Sequence, residues 1–379
     1  MTRFALLAHP GSRRALGFAA ACRGAGHGEP RVVSWQAVLG AGFDPAAAFA
    51  GCGVLRIETP ADDPAAERRL LARGAAACRA EGTYPCLPEP ECDELPDDDG
   101  RLRYQRQWYL GWRGVLEELG SACGRLRIGL MSSPGEIATL FDKQATRAVL
   151  LENGVPVPPA AGICAGFDDL VSKMADNGWR RVFLKPCHGS SAAGVMAIAR
   201  GPRGDWQATS SAVLAAASGI RNLKKPQGVR DEARLRELVD AVCRERALLE
   251  RWFPKATLGG RAFDLRVLVI RGEAAHVVVR TSRTPITNLH LANSRGDLEA
   301  VKTALGPLLW RRALDTAEAA AACFPGCHHA GVDLMVGAAR RACAIAEVNA
   351  FGDLLHRDRW QGMDPWQAEL ARWPGGGRW

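Results

Sequence analysis

The sequence predicts a mixed α/β (α+β) protein of more than one subdomain, with a small parallel α/β unit at the N-terminus and antiparallel strand pairs beyond it. Three observations predict this class. A short apolar run, a helical stretch and a second apolar run follow one another over residues 3–35. Two pairs of apolar strands joined by short turns lie beyond residue 260, and 379 residues exceed the usual size of one core. Apolar residues at 47% and charged residues at 24% supply the interior for two or three packed subdomains.

In the N-terminal unit, RFALLAH reads as a strand, RRALGFAAACRGAG as a helix and RVVSW as the next strand. Between the first two, Pro10-Gly11-Ser12 lacks GxGxxG or Walker spacing and reads as an ordinary strand-to-helix turn. The segment from Glu81 to Arg101 is rich in Pro and acid and reads as an exposed loop. YQRQWYLGWRGVLEELG reads as a helix in which Trp108, Tyr109 and Trp112 form a core face. From Ser132 the pattern changes: SSPGEIATLFDKQATRAVLLENGVPVPP reads as a helix ending at Asn153-Gly154, then an extended, Pro-punctuated stretch. A boundary is therefore expected near residue 130. No repeat of solenoid period is present, and the tail PGGGRW reads as a frayed end.

The net charge of +8 raises the question of nucleic acid, but the basic residues are scattered and only seven of 49 are Lys. An Ala/Arg-rich composition accounts for that better than a binding stripe; no nucleic acid partner is expected, and a basic surface favours anionic small molecules. Twelve irregularly spaced Cys, no secretory leader before them and no apolar run near the ~18 residues of a membrane span point to a reducing cytoplasm and no membrane. Cys323, Cys327, His328 and His329 cluster in CFPGCHH, but no second paired half stands at zinc-like spacing.

Four stretches carry chemistry. In RRVFLKPCHGSSAAGV a β-rich run delivers Lys185 into a loop of small residues, Gly189 to Gly194, whose backbone N–H groups can meet phosphate oxygens. In RALLERWFPKATLGGRAFDLRVLVIRGEAAHVVVR two strands follow an apolar segment holding Glu250. There Asp264 and Arg266 share one strand face, and Arg280 joins them only if the turn has odd parity: two residues at Gly272-Glu273 would separate them. The polar stretch RTSRTPITNLHLANSRGD follows. In AGVDLMVGAARRACAIAEVNAFGDLLH, a three-residue loop Ala339 to Arg341 would set Asp333 directly across from Glu347, with Asn349 on the same face. Opposed carboxylates repel, so either a cation such as Mg²⁺ lies between them or an Arg neutralises the pair.

These pieces, in this order over residues 130–357, resemble the ATP-grasp superfamily, in particular its branch near bacterial glutathione synthetase and the ribosomal-protein glutamate ligases. The resemblance implies a Rossmann-like pre-ATP-grasp domain (1–129), a central subdomain with a phosphate lid (130–247) and a C-terminal subdomain with the magnesium site (248–379), the nucleotide lying between two antiparallel sheets. It implies that Lys143 of FDK and Lys185 of FLKP meet phosphates, and that Gly189, Ser190, Ser191 and Gly194 belong to the lid. Glu250, Arg251, Trp252 and Phe253 would form the adenine linker, Asp264 the ribose-side acid and Arg266 the phosphate-side Arg. Arg280 and Asn288 would stand near an acyl phosphate, and Asp333, Glu347 and Asn349 would hold magnesium.

On that resemblance the expected cofactors are ATP and two Mg²⁺ ions, with Mn²⁺ as a substitute. The expected reaction joins a small-molecule or peptide carboxylate to an amine, less readily a thiol, through an acyl phosphate, with ADP and phosphate released. A homodimer is compatible with the family. A kinase acting on a hydroxyl and a non-catalytic nucleotide-binding protein are the rival readings. Cys187 and His188 in the lid, and the long stretch from Gly201 to Arg246, have no assigned role, although DEARLRELVDAVCRER reads as a helix capped by Asp231.

Overall fold

Three β-sheets organise the chain in the computed structural model, which describes residues 2–61, 63–97, 100–215, 219–351, 355 and 358–374. The tail from residue 375 onward lies outside the described residues.

The first sheet is parallel and built on β1 (Phe4–Leu7), β2 (Arg31–Val33) and β3 (Val54–Ile57). After β4 (Arg101–Leu102), which edges a different sheet, β5 (Gly129–Leu130) completes the order β2-β1-β3-β5. Between the strands run α1 (Arg13–Gly24), the short α2 (Trp35–Val38) and α3 (Pro45–Ala48), α4 (Pro64–Glu81), α5 (Glu89–Cys92) and α6 (Gln105–Leu126). Ser12 caps α1 by accepting from the Ala15 N–H, so Pro10-Gly11-Ser12 is the turn its sequence predicts. Tyr109 and Trp112 are buried, Trp108 partly so.

The expected exposed loop 81–101 is corrected in part, since it contains α5 and buries Leu87 and Cys92. The cause is Gln107. Its side chain accepts from the Leu87 N–H at 2.7 Å and donates to the Leu71 and Leu87 carbonyls at 2.8 and 2.9 Å, tying the segment to both long helices. Asp98 and Asp99 of the LPDDDGR motif lie outside the described residues.

The helix expected before Asn153-Gly154 proves to be two, α7 (Pro134–Phe141) and α8 (Lys143–Glu152). The break is at Asp142, whose carboxylate accepts from the Gln144 and Ala145 N–H groups at 3.0 and 3.2 Å and so starts a new helix. Gly154, with φ 68°, ends it as the sequence predicts.

The second sheet takes β6 (Ala160–Cys164), β7 (Arg181–Pro186), β8 (Met196–Arg200), β9 (Trp206–Ala215), β10 (Gly219–Val229) and β11 (Ala247–Arg251) in the order β4-β10-β9-β8-β7-β11-β6, every pairing antiparallel. Helices α9 (Phe167–Asp176) and α10 (Glu232–Cys243) share its core. The unassigned stretch from Gly201 is thus two further strands plus a helix, and Asp231 caps that helix as expected.

The third sheet contains β12 (Thr257–Leu258), β13 (Arg261–Ile270), β14 (Glu273–Ser282), β15 (Ser294–Arg295), β16 (His329–Val336) and β17 (Cys343–Asn349), ordered β15-β14-β13-β16-β17 with β12 on β13. Helix α11 (Leu298–Ala322), interrupted at Gly306, covers one face, and α12 (Pro365–Ala371) packs near the other. Alternation along β13 sorts its side chains. Phe263, Leu265, Val267 and Val269 join the α11 core; of the alternate residues, Asp264 and Arg266 face the second sheet, and Leu268 and Ile270 pack beside Ala368.

Among the described residues no helix is long and apolar enough to cross a membrane. All twelve cysteines are free thiols.

Candidate active site

Two β-bulges put the charged side chains on one face. Of the two turn lengths weighed from sequence, the turn between β13 and β14 has two residues, placed at Arg271-Gly272 and not at Gly272-Glu273. A two-residue turn alone would have set Arg280 across from Phe263. A register shift beyond Val267 restores the alignment, so Arg280 stands across from Asp264. The second hairpin behaves alike. The three-residue loop at Ala339 to Arg341 is not formed, since Val336 pairs with Cys343; a bulge after Asp333 then brings Asp333 opposite Glu347 and Gly331 opposite Asn349. Asp264, Arg266, Arg280, Asp333, Glu347 and Asn349 therefore share one face.

That face closes one side of a cleft of about 760 Å³ whose other wall is the second sheet. Lys185 extends from β7 of the second sheet and Lys143 from the first turn of α8, and both reach opposite charges, Lys143 to Glu347 at 3.0 Å and Lys185 to Glu250 at 2.5 Å. Lys143 also donates to the Gly189 carbonyl at 2.6 Å. On the third sheet Arg266 holds Asp333 with two N–H groups, and Arg280 donates to Asp264 at 2.7 Å and to Asp333 at 3.0 Å. The opposed carboxylates are thus neutralised by arginines and a lysine, the arrangement weighed from sequence as the alternative to a bound cation.

Burial would push the Asp264 carboxyl up, but Arg280 and Lys255 outweigh it and hold the group well below the usual carboxylate range. Asp333 is likewise depressed, burial being overcome by Arg266 and Arg280. Lys255 is lowered by burial against the pull of Asp264. It donates to Asp264 at 3.0 Å and to Thr287 at 2.6 Å. Sequence reasoning passed over both residues. The available signal was scarcity: the chain has seven lysines, and Lys143, Lys185 and Lys255 line one cleft.

The phosphate loop, residues 187–195, joins β7 to β8. Ser191 and Ala192 both have positive φ, at 53° and 57°, and the Ala193 N–H donates to the Ser190 carbonyl at 2.8 Å, a tight turn with mirror-image geometry. Ser211 on β9 braces it by donating to the Ala192 carbonyl at 2.7 Å. Gly189 lines the main cleft, whereas Ser190 lines a second cavity of about 900 Å³ that also reaches Arg68, Arg103, Trp108, Phe141 and His188. Ser191 and Gly194 line neither.

Of the predicted adenine linker, Glu250, Arg251 and Phe253 line the cleft; Trp252 packs edge-on against Phe183 at 5.2 Å instead. Asn288 lines it too, its side chain accepting from the His290 N–H at 2.9 Å. Arg266 and Asn349 stand behind the lining. Asn349 donates to the Gly331 carbonyl at 3.1 Å, which leaves its amide oxygen as the acceptor.

The set Asp333, Glu347 and Asn349 is all-oxygen and suits a hard divalent cation such as Mg²⁺. Glu347, with 29% of its side chain exposed, is the freer carboxylate, and Asp333 is anchored by its arginines. In CFPGCHH, His328 bonds to the Glu369 carbonyl at 2.8 Å and the Cys323 thiol to the Ala319 carbonyl at 3.3 Å. Among the described residues no three His, Cys, Asp or Glu side chains come together as a metal site.

Two antiparallel sheets closing on a cleft lined by lysines, arginines and paired carboxylates define the ATP-grasp architecture, the scaffold of ATP-dependent ligases. The model of the family described as YheC/D like ATP-grasp matches residues 139–349, more than half of the chain, and the chain belongs to that family. No curated protein matches it by sequence. Among solved structures, the ATP-grasp ligase PsnB complexed with a phosphomimetic variant of minimal precursor, Mg and ADP aligns at 13% identity and TM-score 0.54, over 98% of each chain. PsnB with minimal precursor aligns at 13% identity and TM-score 0.52, over 98% of this chain and 99% of the other. N5-carboxyaminoimidazole synthase from Aspergillus clavatus, with ADP and its ribonucleotide, aligns at 12% and TM-score 0.50, over 92% and 70%. These likenesses concern the fold.

Proposed function

We propose that the protein is an ATP- and Mg²⁺-dependent ligase that activates a carboxylate as an acyl phosphate and passes the acyl group to an amine, with a thiol as the less favoured nucleophile, releasing ADP and phosphate. The observation that carries the reading is the convergence of Lys143, Lys185, Lys255 and Arg280 on one cleft with Asp333 and Glu347 facing each other at its wall. Each cation there already meets a carboxylate, so a polyphosphate can take over partners that are in place.

Adenine is assigned to the apolar end between Phe183, Phe253 and Met335, beside Glu250. Lys185 and Lys143 spread the charge of the transferred phosphoryl group. Bound Mg²⁺, held by Asp333, Glu347 and the Asn349 amide oxygen, supplies charge neutralisation at the phosphates. Arg266 keeps Asp333 oriented. Arg280 and Asn288 face the position where the acyl group develops negative charge, and the loop 187–195 excludes water from the activated acid.

The second cavity, lined by Arg68, Arg103, Trp108 and Phe141 among others, is assigned to the rest of the substrate. Its arginines suit the carboxylate and its aromatic side chains the body of a peptide or amino-acid derivative, and its shared wall with the phosphate loop supports the assignment. PsnB, whose fold this chain shares, is captured with a minimal precursor and with Mg and ADP. A reducing cytoplasm suits twelve free thiols.

The test is nucleotide release from ATP and Mg²⁺ with pooled amino acids and peptides, hydroxylamine being present to trap activated acid. ADP and a hydroxamate, both lost in Glu347→Ala, are expected. AMP as product overturns the mechanism, and a stable phosphorylated product in place of hydroxamate assigns the protein to the kinases.

A further inference from the structure

His188 lies in the phosphate loop yet has no part in the nucleotide chemistry above. It is 2% exposed and stacks face to face on Tyr109 of α6, ring centroids 4.0 Å apart and planes 10° from parallel. Its Nδ1 is 3.4 Å from the Phe141 carbonyl oxygen and its Nε2 is 3.2 Å from an Arg106 guanidinium nitrogen. A guanidinium only donates, so Nε2 accepts and Nδ1 carries the proton toward Phe141. Burial pushes this imidazole down to about 3 against the pull of Asp142, in keeping with a neutral ring between those two partners.

The same two short segments are joined three times. Besides the His188 contact to Phe141, the Lys143 N–H donates to the Cys187 carbonyl at 3.1 Å and the Lys143 ammonium to the Gly189 carbonyl at 2.6 Å. Asp142, between Phe141 and Lys143, is met by Arg246 at 3.1 Å and Arg106 at 3.8 Å, and the Cys187 N–H donates to the Arg246 carbonyl at 2.8 Å. The base of the loop, 187–189, is fastened to the corner 141–143; at its tip, 190–193, Ser211 of β9 holds the Ala192 carbonyl, and Ala192 packs beside the apolar cluster of Val195, Ile286 and Leu291.

We propose that His188 is a positioning residue that locks the base of the phosphate loop to the Phe141–Lys143 corner, with Tyr109 and Arg106 as its backing. It thereby sets the loop N–H groups relative to the Lys143 ammonium. Helix α6, an element of the N-terminal unit, then controls the polyphosphate end of the cleft and leaves the adenine end alone. The inference rests on the cleft being a nucleotide site.

Calorimetric titrations with AMP, and with ADP plus Mg²⁺, test it on the wild type, His188→Ala and His188→Asn. His188→Ala is expected to weaken ADP at least tenfold while AMP stays within twofold. His188→Asn, whose amide can donate to the Phe141 carbonyl in place of Nδ1, is expected to recover ADP binding to within threefold of wild type. Unchanged ADP affinity in His188→Ala, or an equal loss for AMP and ADP, overturns the proposal. If that variant does not fold, Arg106→Met serves, with the same selective loss of ADP affinity expected and an equal loss for both nucleotides overturning it. A wild-type protein that binds neither nucleotide overturns the nucleotide reading and this inference with it.

Discussion

Arg280 stands directly across from Asp264 on the neighbouring strand and also reaches Asp333, so one guanidinium bridges two buried carboxylates. Removing it leaves two buried carboxylates at the cleft wall with one cation each, Lys255 on Asp264 and Arg266 on Asp333. Arg280→Ala is expected to destabilise the fold by about 3–5 kcal/mol. The combination Asp264→Asn with Arg280→Gln should lose less than the sum of its single changes, because the charges leave together. Urea unfolding reads both. A loss under about 1 kcal/mol for Arg280→Ala would mean that Lys255 and Arg266 carry the two acids unaided.

Glu347 presents the opposite case. It is more exposed than Asp333, and its ion pair to Lys143 is at the cleft wall. Glu347→Gln should therefore change stability by no more than about 1 kcal/mol. If it holds the metal, Mg²⁺-dependent ADP release should fall on the order of a hundredfold or more. Asp333→Asn is expected to lose both stability and activity. Near-normal turnover in a folded Glu347→Gln protein would remove Glu347 from the metal set.

Much of this site was legible in the sequence because strand alternation is strict: Asp264 and Arg266 had to share a face, and so did Glu347 and Asn349. What alternation could not supply was the join between strands. The first hairpin places its two-residue turn at Arg271-Gly272 and the second does not form the three-residue loop at Ala339 to Arg341, and bulges beyond Val267 and after Asp333 bring about the pairings by another route. A bulge inserts one residue without a distinctive side chain, and no composition signal marks it. Lys255 was passed over for a different reason. Its role depends on Asp264 and Thr287 meeting it in space, and FPKATLGG has no pattern of its own. Break and cap at Asp142 were hidden because an uninterrupted helix and two abutting helices share one apolar period.

Stability should depend on pH well above the carboxylate range. Burial pushes the imidazoles of His188, His276 and His328 below their ordinary value of 6.5, to about 3 for His188 and about 4 for His328. From pH 6.5 downward the unfolded chain takes up protons that the folded chain refuses, so stability falls as pH falls, by about 2 kcal/mol for each of these last two residues at pH 5. Asp264 adds a second loss. Its depressed carboxyl contributes fully above the ordinary value of 3.8, and that contribution disappears as pH drops from there through the folded value. Denaturant midpoints between pH 8 and pH 3 should decline in two stages, and a flat profile from pH 7 to pH 5 would show that the histidines are protonated in place.

Helices α4 and α6 cross at two glycines, and there the same substitution should change sign within one helix. A Cβ on Gly74 would stand 1.9 Å from the Gln107 carbonyl oxygen, and one on Gly111 would stand 1.9 Å from that of Leu70. Neither contact can be relieved by turning a side chain, because the obstructing atoms are backbone. The helices must separate, and Gln107, whose amide holds Leu71 and Leu87, loses its partners as they do. Gly74→Ala and Gly111→Ala should therefore each cost about 3 kcal/mol or more. Gly114, one turn along α6, has nothing within 4 Å of its Cβ position, and Gly114→Ala should stabilise by up to about 1 kcal/mol through helix propensity alone. Because α6 also carries Arg106 and Tyr109, the two damaging changes should weaken ADP binding in whatever fraction remains folded, whereas Gly114→Ala should leave it unchanged. Equal effects of all three substitutions on the unfolding midpoint would refute the backbone-to-backbone crossing.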